Sequence, residues 1–266
     1  MSELILSQLY CYPVKSLAGF STQHSEVEAF GLRYDRRWMV VDAKTGDFIT
    51  QRSHPKMALI QAEKYKQRIL LRHKEGLTLQ VSIPDGDLQR NVTVWGDHCL
   101  SWDAGDEAAH WLSDLLQVDC RLVYFPDDEV RQVDLDYAKA GDKTAFSDGF
   151  PLLLISQASL DDLNRRLEEP VEMIRFRPNL VVSGCEPFAE DSWRRIRIGD
   201  VTMRVVKPCS RCSIPNVNPK SGRREKEPAL TLSKYRQRDN KIFFGQNVIA
   251  DNSGMIEVGM QVEIIE

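Results

Sequence analysis

The segment Lys207-Pro-Cys-Ser-Arg-Cys-Ser-Ile-Pro-Asn-Val-Asn-Pro-Lys-Ser-Gly222 concentrates the reactive side chains of this sequence. It carries Cys209 and Cys212 at C-x-x-C spacing, three prolines and basic neighbours. Cysteine reacts and binds metal as its thiolate, and cations such as Lys207 and Arg211 favour that form. A structural zinc site needs four ligands, and no second C-x-x-C or H-x-x-x-H accompanies the pair. A thioredoxin-like redox pair needs its first cysteine at a helix N-terminus, and Pro215 and Pro219 disfavour a helix here. A single thiolate ligand to a soft-binding metal, with the other ligands supplied by a cofactor, fits the segment better. A loop with two unreactive thiols is the reading without chemistry.

Three other segments set a cation beside a turn-forming residue: Tyr12-Pro-Val-Lys-Ser16, Gly31-Leu-Arg-Tyr-Asp-Arg-Arg-Trp38 and Phe176-Arg-Pro-Asn179. Singly, each reads as a solvated charge or a surface ion pair. Together they offer Lys15, Arg36 and Arg177 as anion ligands, with arginine suited to bidentate contact with phosphate. The histidines at 24, 54, 73, 98 and 110 lack metal-pair spacing, and His110 is expected on or beside the apolar face of a helix. No G-x-S-x-G, Walker A or G-x-G-x-x-G motif is present, so hydrolase, NTPase and dinucleotide readings lose support.

The elements that must position these residues are mostly short strands. Trp38 to Asp42 is an apolar run, the turn signal Lys44-Thr-Gly-Asp47 follows, and Phe48 to Gln51 is expected to return as a hairpin partner. Ile69–Leu71, Leu77–Ile83, Val92–Trp95 and Cys99–Trp102 continue the pattern, with turns at Pro84-Asp-Gly86 and Gly96-Asp97. This spacing predicts a barrel or sandwich rather than βαβ units. Asp106 is expected to cap a helix with Ala108, Trp111, Leu112, Leu115 and Leu116 on one face. Ser159 is expected to cap a second, carrying Leu160, Leu163 and Leu167, and a third short helix is expected to begin near Pro228. Asn179–Ser183, Arg195–Ile198 and Val201–Lys207 read as strands, and Met255 to Ile265 as two strands around Gly259. The polar stretch from Phe125 to Gly149 reads as a solvated loop, with a linker or lid as the alternative.

With 266 residues, 42% of them hydrophobic, the chain can bury a core without metals or disulfides. Its net charge of −4 gives no global case for nucleic-acid binding. No apolar window of about 18 residues exists, and the N-terminus reads as a strand rather than a signal peptide. A cytoplasmic location with no membrane partner is the expectation. Of six cysteines, those at 11, 99, 120 and 185 are isolated and read as packed thiols.

The combination of Y-P-V-K-S, D-R-x-W, F-R-P-N, K-P-C-S-R-C followed by V-x-P-x-x-G, and F-G-Q-N, in that order from Tyr12 to about Ile265, resembles the MOSC family. More closely it is similar to the YcbX-type bacterial proteins and the mitochondrial amidoxime-reducing components. The resemblance implies a mainly β (α+β) fold. Residues 1–125 would form an N-terminal β-barrel-like domain, and 126–266 a MOSC β-barrel with a few short helices.

It also implies a molybdenum cofactor, Mo-molybdopterin, held between the two, and reduction of N-hydroxylated compounds such as base analogues, amidoximes and hydroxylamines. Cys212 then matches the molybdenum ligand. Lys15 and Ser16 match contacts to the pterin phosphate. Arg36, Arg177, Asn179, Ser210 and Arg211 match positions around the cofactor, as do Ser147, Asp148 and Gly149 and, through Phe244 to Asn247, Asn247. Asp148 is a candidate proton relay. YcbX-type proteins commonly continue into a plant-type ferredoxin domain whose C-x₄-C-x₂-C motif is absent from these residues. The expected electron source is therefore a separate ferredoxin- or flavin-type partner. The competing expectation is a carrier of cofactor or sulfur without turnover.

Overall fold

The computed structural model describes residues 3–65 and 67–266. Its largest sheet has nine strands. The main path runs Val262–Ile264, Arg195–Ile198, Val201–Ser210, Lys241–Ala250, Leu152–Ser156, Leu180–Ser183, Ile5–Cys11 and Phe20–Thr22. Its neighbours are antiparallel except Leu152–Ser156 against Leu180–Ser183, which are parallel. The two ends of this path meet. Leu6 donates its N–H to the Met260 carbonyl at 2.9 Å, Gly259 donates to Leu6 at 2.8 Å and Val262 to Leu4 at 2.8 Å. These bonds close the sheet into a barrel and remove its edges. Leu6, Leu9, Leu154, Leu180, Ile196, Met203 and Val248 pack in its interior.

The first half of the chain adds a four-stranded sheet and a three-stranded one. The former orders Trp38–Asp42, Cys120–Tyr124, Asp97–Asp103 and Gln89–Val94, and the latter Ile60–Tyr65, Arg68–His73 and Thr78–Ser82. They share a core of Val14, Trp38, Val40, Met57, Ile60, Leu71 and Leu122, sealed by Leu112 of the helix Asp106–Leu116. The fold is mainly β, as the strand texture predicts. Strand pairing crosses residue 125, however. Ile5–Cys11 belongs to the large barrel, and His24–Glu28 pairs with Gly254–Glu257.

Several local expectations need correction. The first long helix is capped by Gly105, not Asp106; Asp106 lies in its first turn, and Asp103 accepts the Gly105 N–H at 2.9 Å. Its His110 is exposed and off the apolar face. The second helix, Gln157–Asn164, is capped by Ser156, whose hydroxyl accepts the Ser159 N–H at 3.1 Å. Ser159 instead bonds the buried Glu190 carboxylate at 2.8 Å. Two serines three residues apart read alike in sequence, and the end of the preceding strand decides between them. Phe48–Gln51 forms a single bridge, Phe48 to Val41, rather than a strand. The strands flanking Gly259 do not pair with each other: one joins His24–Glu28, the other Arg195–Ile198. Residues 125 to 149 contain no regular element; most of 127 to 141 is exposed, as a solvated loop would be, but Arg131, Val133, Thr144, Ala145, Phe146 and Ser147 are buried and anchor it.

Gly245 sits where Lys241–Ala250 crosses Leu152–Ser156, at φ +82°. A Cβ there would lie 2.6 Å from Ile155 Cγ1 and 2.8 Å from the Leu154 carbonyl oxygen. Gly259 has φ +97° with open space around it. Gly259→Ala is therefore expected to cost about 1 kcal/mol, from backbone strain alone. Gly245→Ala should cost roughly 3 kcal/mol or more by adding a steric clash. Urea unfolding of the two variants against wild type checks the order.

Candidate functional site

Each motif contributes to one cleft between the barrel and the N-terminal sheets. Lys15 and Ser16 follow the first barrel strand, and their segment runs beside Trp38: Lys15 donates its N–H to the Trp38 carbonyl at 2.7 Å. Arg36 precedes that same strand. The 3₁₀ turn Met173–Phe176 ends in Arg177, and Asn179 enters the next barrel strand. Val201–Ser210 delivers Cys209 and Ser210 at its end, and Arg211 and Cys212 follow. The cleft, with an interior of ≈ 120 Å³, is lined by Lys15, Ser16, Arg36, Ser147, Asp148, Gly149, Arg177, Asn179, Ser210, Arg211, Cys212 and Asn247. Every residue singled out from the sequence is thus brought together, and Cys209 lines the cleft as well.

Backbone geometry here is unusual. Ser16, Arg36 and Arg177 have φ of 65°, 48° and 55°. Left-handed conformations at non-glycine residues cost on the order of 1 kcal/mol each and persist only where surroundings impose them. The surroundings are visible. Arg36 donates its N–H to the Tyr12 carbonyl at 2.8 Å, and its own carbonyl accepts from Phe146 at 3.0 Å. Its guanidinium pairs with the buried Asp35 and reaches Asn179 Oδ1 at 2.9 Å and the Arg177 carbonyl at 3.1 Å. Ser16 is held by Gln51, whose Nε2 donates to its carbonyl at 2.7 Å.

The charge balance inside the cleft is positive. Lys15 is 4% exposed and donates to the Phe146 carbonyl at 2.7 Å and to the Asp148 carboxylate. Burial pushes its ammonium down to about 8, against the opposing pull of Asp148. Asp148 stands at the mouth; burial would raise its carboxyl, but the Lys15 cation and hydrogen bonds from Lys15 and Trp95 hold it well below the usual carboxylate range. Arg177 is pushed down to about 10 by burial and by the neighbouring Arg36. Among the described residues, neither Arg177 nor Arg211 forms an ion pair with a carboxylate. Arg177 donates to the Leu17 carbonyl at 2.6 Å, and Arg211 to the Phe176 carbonyl at 2.6 Å and to Cys209 Sγ at 3.1 Å. Arg177 Nη2 and Arg211 Nε are buried donors without a partner. Buried cations with unused donors destabilise a fold unless an anion completes them.

A molybdopterin-type cofactor fits this donor set. Its phosphate would supply the charge that Arg177 and Arg211 lack, and its polar ring system would supply acceptors. No three His, Cys, Asp or Glu side chains converge among the described residues, so a metal here would bring ligands of its own. Cys212 is exposed at the cleft and Cys209 is half-buried; both are free thiols. Asn179 contributes differently. It is fully buried, its Oδ1 accepts from Arg36 and from the Leu153 N–H at 3.1 Å, and its Nδ2 donates to the Tyr10 carbonyl at 3.3 Å. It braces Arg36 more than it addresses the cleft.

Residues 3–119 match the MOSC N-terminal beta barrel domain, and residues 141–263 match the MOSC domain. The chain belongs to the MOSC family. This MOSC protein is similar to mitochondrial amidoxime-reducing component 1 of Mus musculus, with 37% identity over 98% of this chain and 82% of the relative. The same protein of Homo sapiens is 37% identical with the same coverage. Molybdenum cofactor sulfurase of Oryza sativa subsp. japonica is 34% identical over 92% of this chain, which spans 32% of that longer protein. Among the described residues no helix is long and apolar enough to cross a membrane.

Four residues at the MOSC site escape a sequence reading. Tyr12 lies beneath both arginines, its ring 4.6 Å from the Arg36 guanidinium and 4.2 Å from that of Arg177. Arg52 approaches Cys212 Sγ at 3.6 Å and lies against the Trp95 ring at 4.5 Å. Trp95 Nε1 donates to Asp148 at 3.1 Å. Arg131 is 6% exposed and donates to the carbonyls of Ala145 at 3.0 Å, Ser147 at 2.5 Å and Asp148 at 3.1 Å, and to Asp97 at 2.7 Å. It ties the turn carrying Trp95 to the loop carrying Asp148. Tyr12 heads a motif that points to its neighbours; Arg52, Trp95 and Arg131 stand in no recognisable pattern, and only folding brings them to the site.

Arg131→Met is expected to lose about 2–4 kcal/mol, because three buried carbonyls lose their donor. Chemical denaturation measures this, and an unchanged midpoint rules the brace out. A second expectation concerns pH. Lys15 is cationic below about 8 and neutral above it, and an anion binds the cationic form. Sulfate, whose charge is constant over this range, should therefore bind more weakly at pH 9.5 than at pH 7 by isothermal calorimetry. Lys15→Met should remove that difference; a pH-independent affinity in wild type would take Lys15 out of the anion site.

Proposed function

We propose that this MOSC protein is a molybdenum-cofactor-dependent reductase of small N-hydroxylated compounds. The observation that carries the reading is one cleft holding an exposed thiol, Cys212, beside two half-buried cations lacking a counter-anion, Arg177 and Arg211, each with a buried nitrogen left unpartnered. The name amidoxime-reducing component supports a reductase, and the name molybdenum cofactor sulfurase supports an association with the cofactor. Lys15, Ser16, Arg177, Arg211 and Ser210 would hold the phosphate and ring system, with Asn247 and the Ser147–Gly149 loop closing the remaining sides. Cys212 would be the protein's ligand to the metal, a soft donor to a metal that takes one.

When bound, the cofactor supplies the two-electron chemistry. In the overall reaction the N–O bond breaks. Two electrons from a separate redox partner and two protons convert R–N–OH to R–N–H and water. Asp148 stands at the mouth, paired with Lys15, where it can pass a proton between solvent and that ammonium.

The rice relative favours a second reading, in which the chain carries the cofactor or sulfur on Cys212 without turnover. Protein made in a host that synthesises the cofactor is expected to contain molybdenum by elemental analysis, and Cys212→Ser to lose most of it. Loaded wild type with an artificial electron donor should reduce benzamidoxime. Molybdenum without reductase activity, but with activation of a cofactor-free molybdoenzyme, would select the carrier reading. Equal metal in both proteins would move the ligand away from Cys212.

A further inference from the structure

The outer side of Cys212 is built from residues that cofactor holding does not use. Arg52 Nη1 lies 3.6 Å from Cys212 Sγ and 3.9 Å from Asp148 Oδ2. Its guanidinium lies against Trp95 at 4.5 Å and near Phe48 at 5.8 Å, and the two rings pack at 5.3 Å. Its backbone is tied from the other side, since Arg224 donates to the Arg52 carbonyl. Stacking and tethering fix the guanidinium in place, and its Nη2 is buried without a partner. A fixed cation whose Nη1 faces the reacting thiol can donate to an acceptor on the incoming molecule. Trp95 is more than half exposed and adopts φ 53° in a turn. That turn presents the ring to Phe48 on one contact and to the Arg52 guanidinium on another.

We propose that Arg52 is the substrate-recognition residue of this site, donating to the oxygen of an uncharged N-hydroxylated group, with Trp95 as the positioning residue that keeps its guanidinium flat. This rests on the reductase reading and deepens it. Arg52 adds a positive charge at the point of approach, where Lys15, Arg177 and Arg211 already set a positive field. Neutral amidoximes are accepted and cationic N-hydroxyguanidinium compounds are disfavoured. Asp148 offsets part of this field, but it is paired with Lys15. Trp95 acts by holding Arg52, and its indole also bonds Asp148 at 3.1 Å.

The test has two arms. The first needs no cofactor. Reaction of Cys212 with methanethiosulfonates of opposite charge, sulfonatoethyl and trimethylammonioethyl, is followed by mass spectrometry of the peptide containing it. Wild type should favour the anionic reagent. Arg52→Gln should shrink the anion-to-cation rate ratio by about fivefold or more, the Coulomb effect of one charge at about 4 Å in a water-like medium. Arg52→Lys should keep most of the ratio, and the exposed Arg197→Gln, on a barrel strand and paired with Glu263, should keep all of it. An unchanged ratio in Arg52→Gln overturns the proposal, whatever the protein's activity.

The second arm compares kcat/KM for benzamidoxime and for a cationic N-hydroxyguanidine in loaded protein. Arg52→Gln should lower the first by at least tenfold while narrowing the preference between the two. Arg52→Lys should not restore the benzamidoxime rate, because a lysine cannot lie flat against Trp95 and present two donors. Trp95→Ala should lower kcat with little change in the charge ratio of the first arm. Loss of neutral and cationic turnover in equal proportion would leave Arg52 a purely structural residue and overturn the proposal. Absence of turnover in wild type, with the thiol ratio behaving as expected, would refute the reductase reading while keeping Arg52 as the charge at the thiol.

Discussion

Arg36 is the point from which the cleft is hung. One residue, in a left-handed conformation, bonds the backbone of Tyr12 and Phe146 and, through its side chain, Asp35, Asn179 and the Arg177 carbonyl. These partners come from the first barrel strand, from the packed stretch before Leu152 and from the 3₁₀ turn before Leu180. It ties all of them at one point, alongside the direct bonds of Asn179 to Tyr10 and of the Tyr12 N–H to Asp35. Its ion pair with Asp35 contributes little net stability, because both charges were desolvated to make it. What it contributes is geometry: a planar fork fixes directions as well as distances. Arg36 also lies on one side of the Tyr12 ring, with Arg177 at the other contact, so the two cations share an aromatic surface while repelling each other.

That repulsion gives the site its character. The fold gathers more positive charge than its carboxylates neutralise and buries part of it. Asp35 and Asp148 answer Arg36 and Lys15, while Arg177 and Arg211 are left with backbone carbonyls and a thiol. A stability-optimised protein would place carboxylates there. Leaving them out keeps the cleft poised for an anion, and the cost is carried by the two well-packed cores on either side.

Much of this was legible in the sequence, and the reason is local. Cys212, Lys15, Arg36 and Arg177 each stand in a short motif with a proline or glycine that marks a turn; singly the cations read as surface charges, and it is the ordered set of motifs, through its resemblance to the MOSC family, that singles them out with Asn179. The strand texture likewise predicts a mainly β fold. What stayed hidden depends on distant contacts. Arg131 reads as one more charge in an acidic stretch, yet it is buried under three carbonyls 14 to 17 residues away and bonds an aspartate 34 residues before it. Arg52 reads as a turn residue, and its meaning comes from Cys212, 160 positions later. Ser156 and Ser159 were indistinguishable as caps because the choice is made by where the strand ends and by the buried Glu190.

The closure of the barrel has a consequence for how the protein folds. Ile5–Cys11 pairs with Leu180–Ser183 and with the segment around Met260, partners that lie far along the sequence. Until those are in place, the strand has its edges unpaired, and the wall carrying Lys15 and Ser16 has nothing to lean on. Contacts this far apart in sequence slow folding and leave sticky edges exposed in the interim. The cleft is therefore completed only when residues from opposite ends of the sequence have found each other.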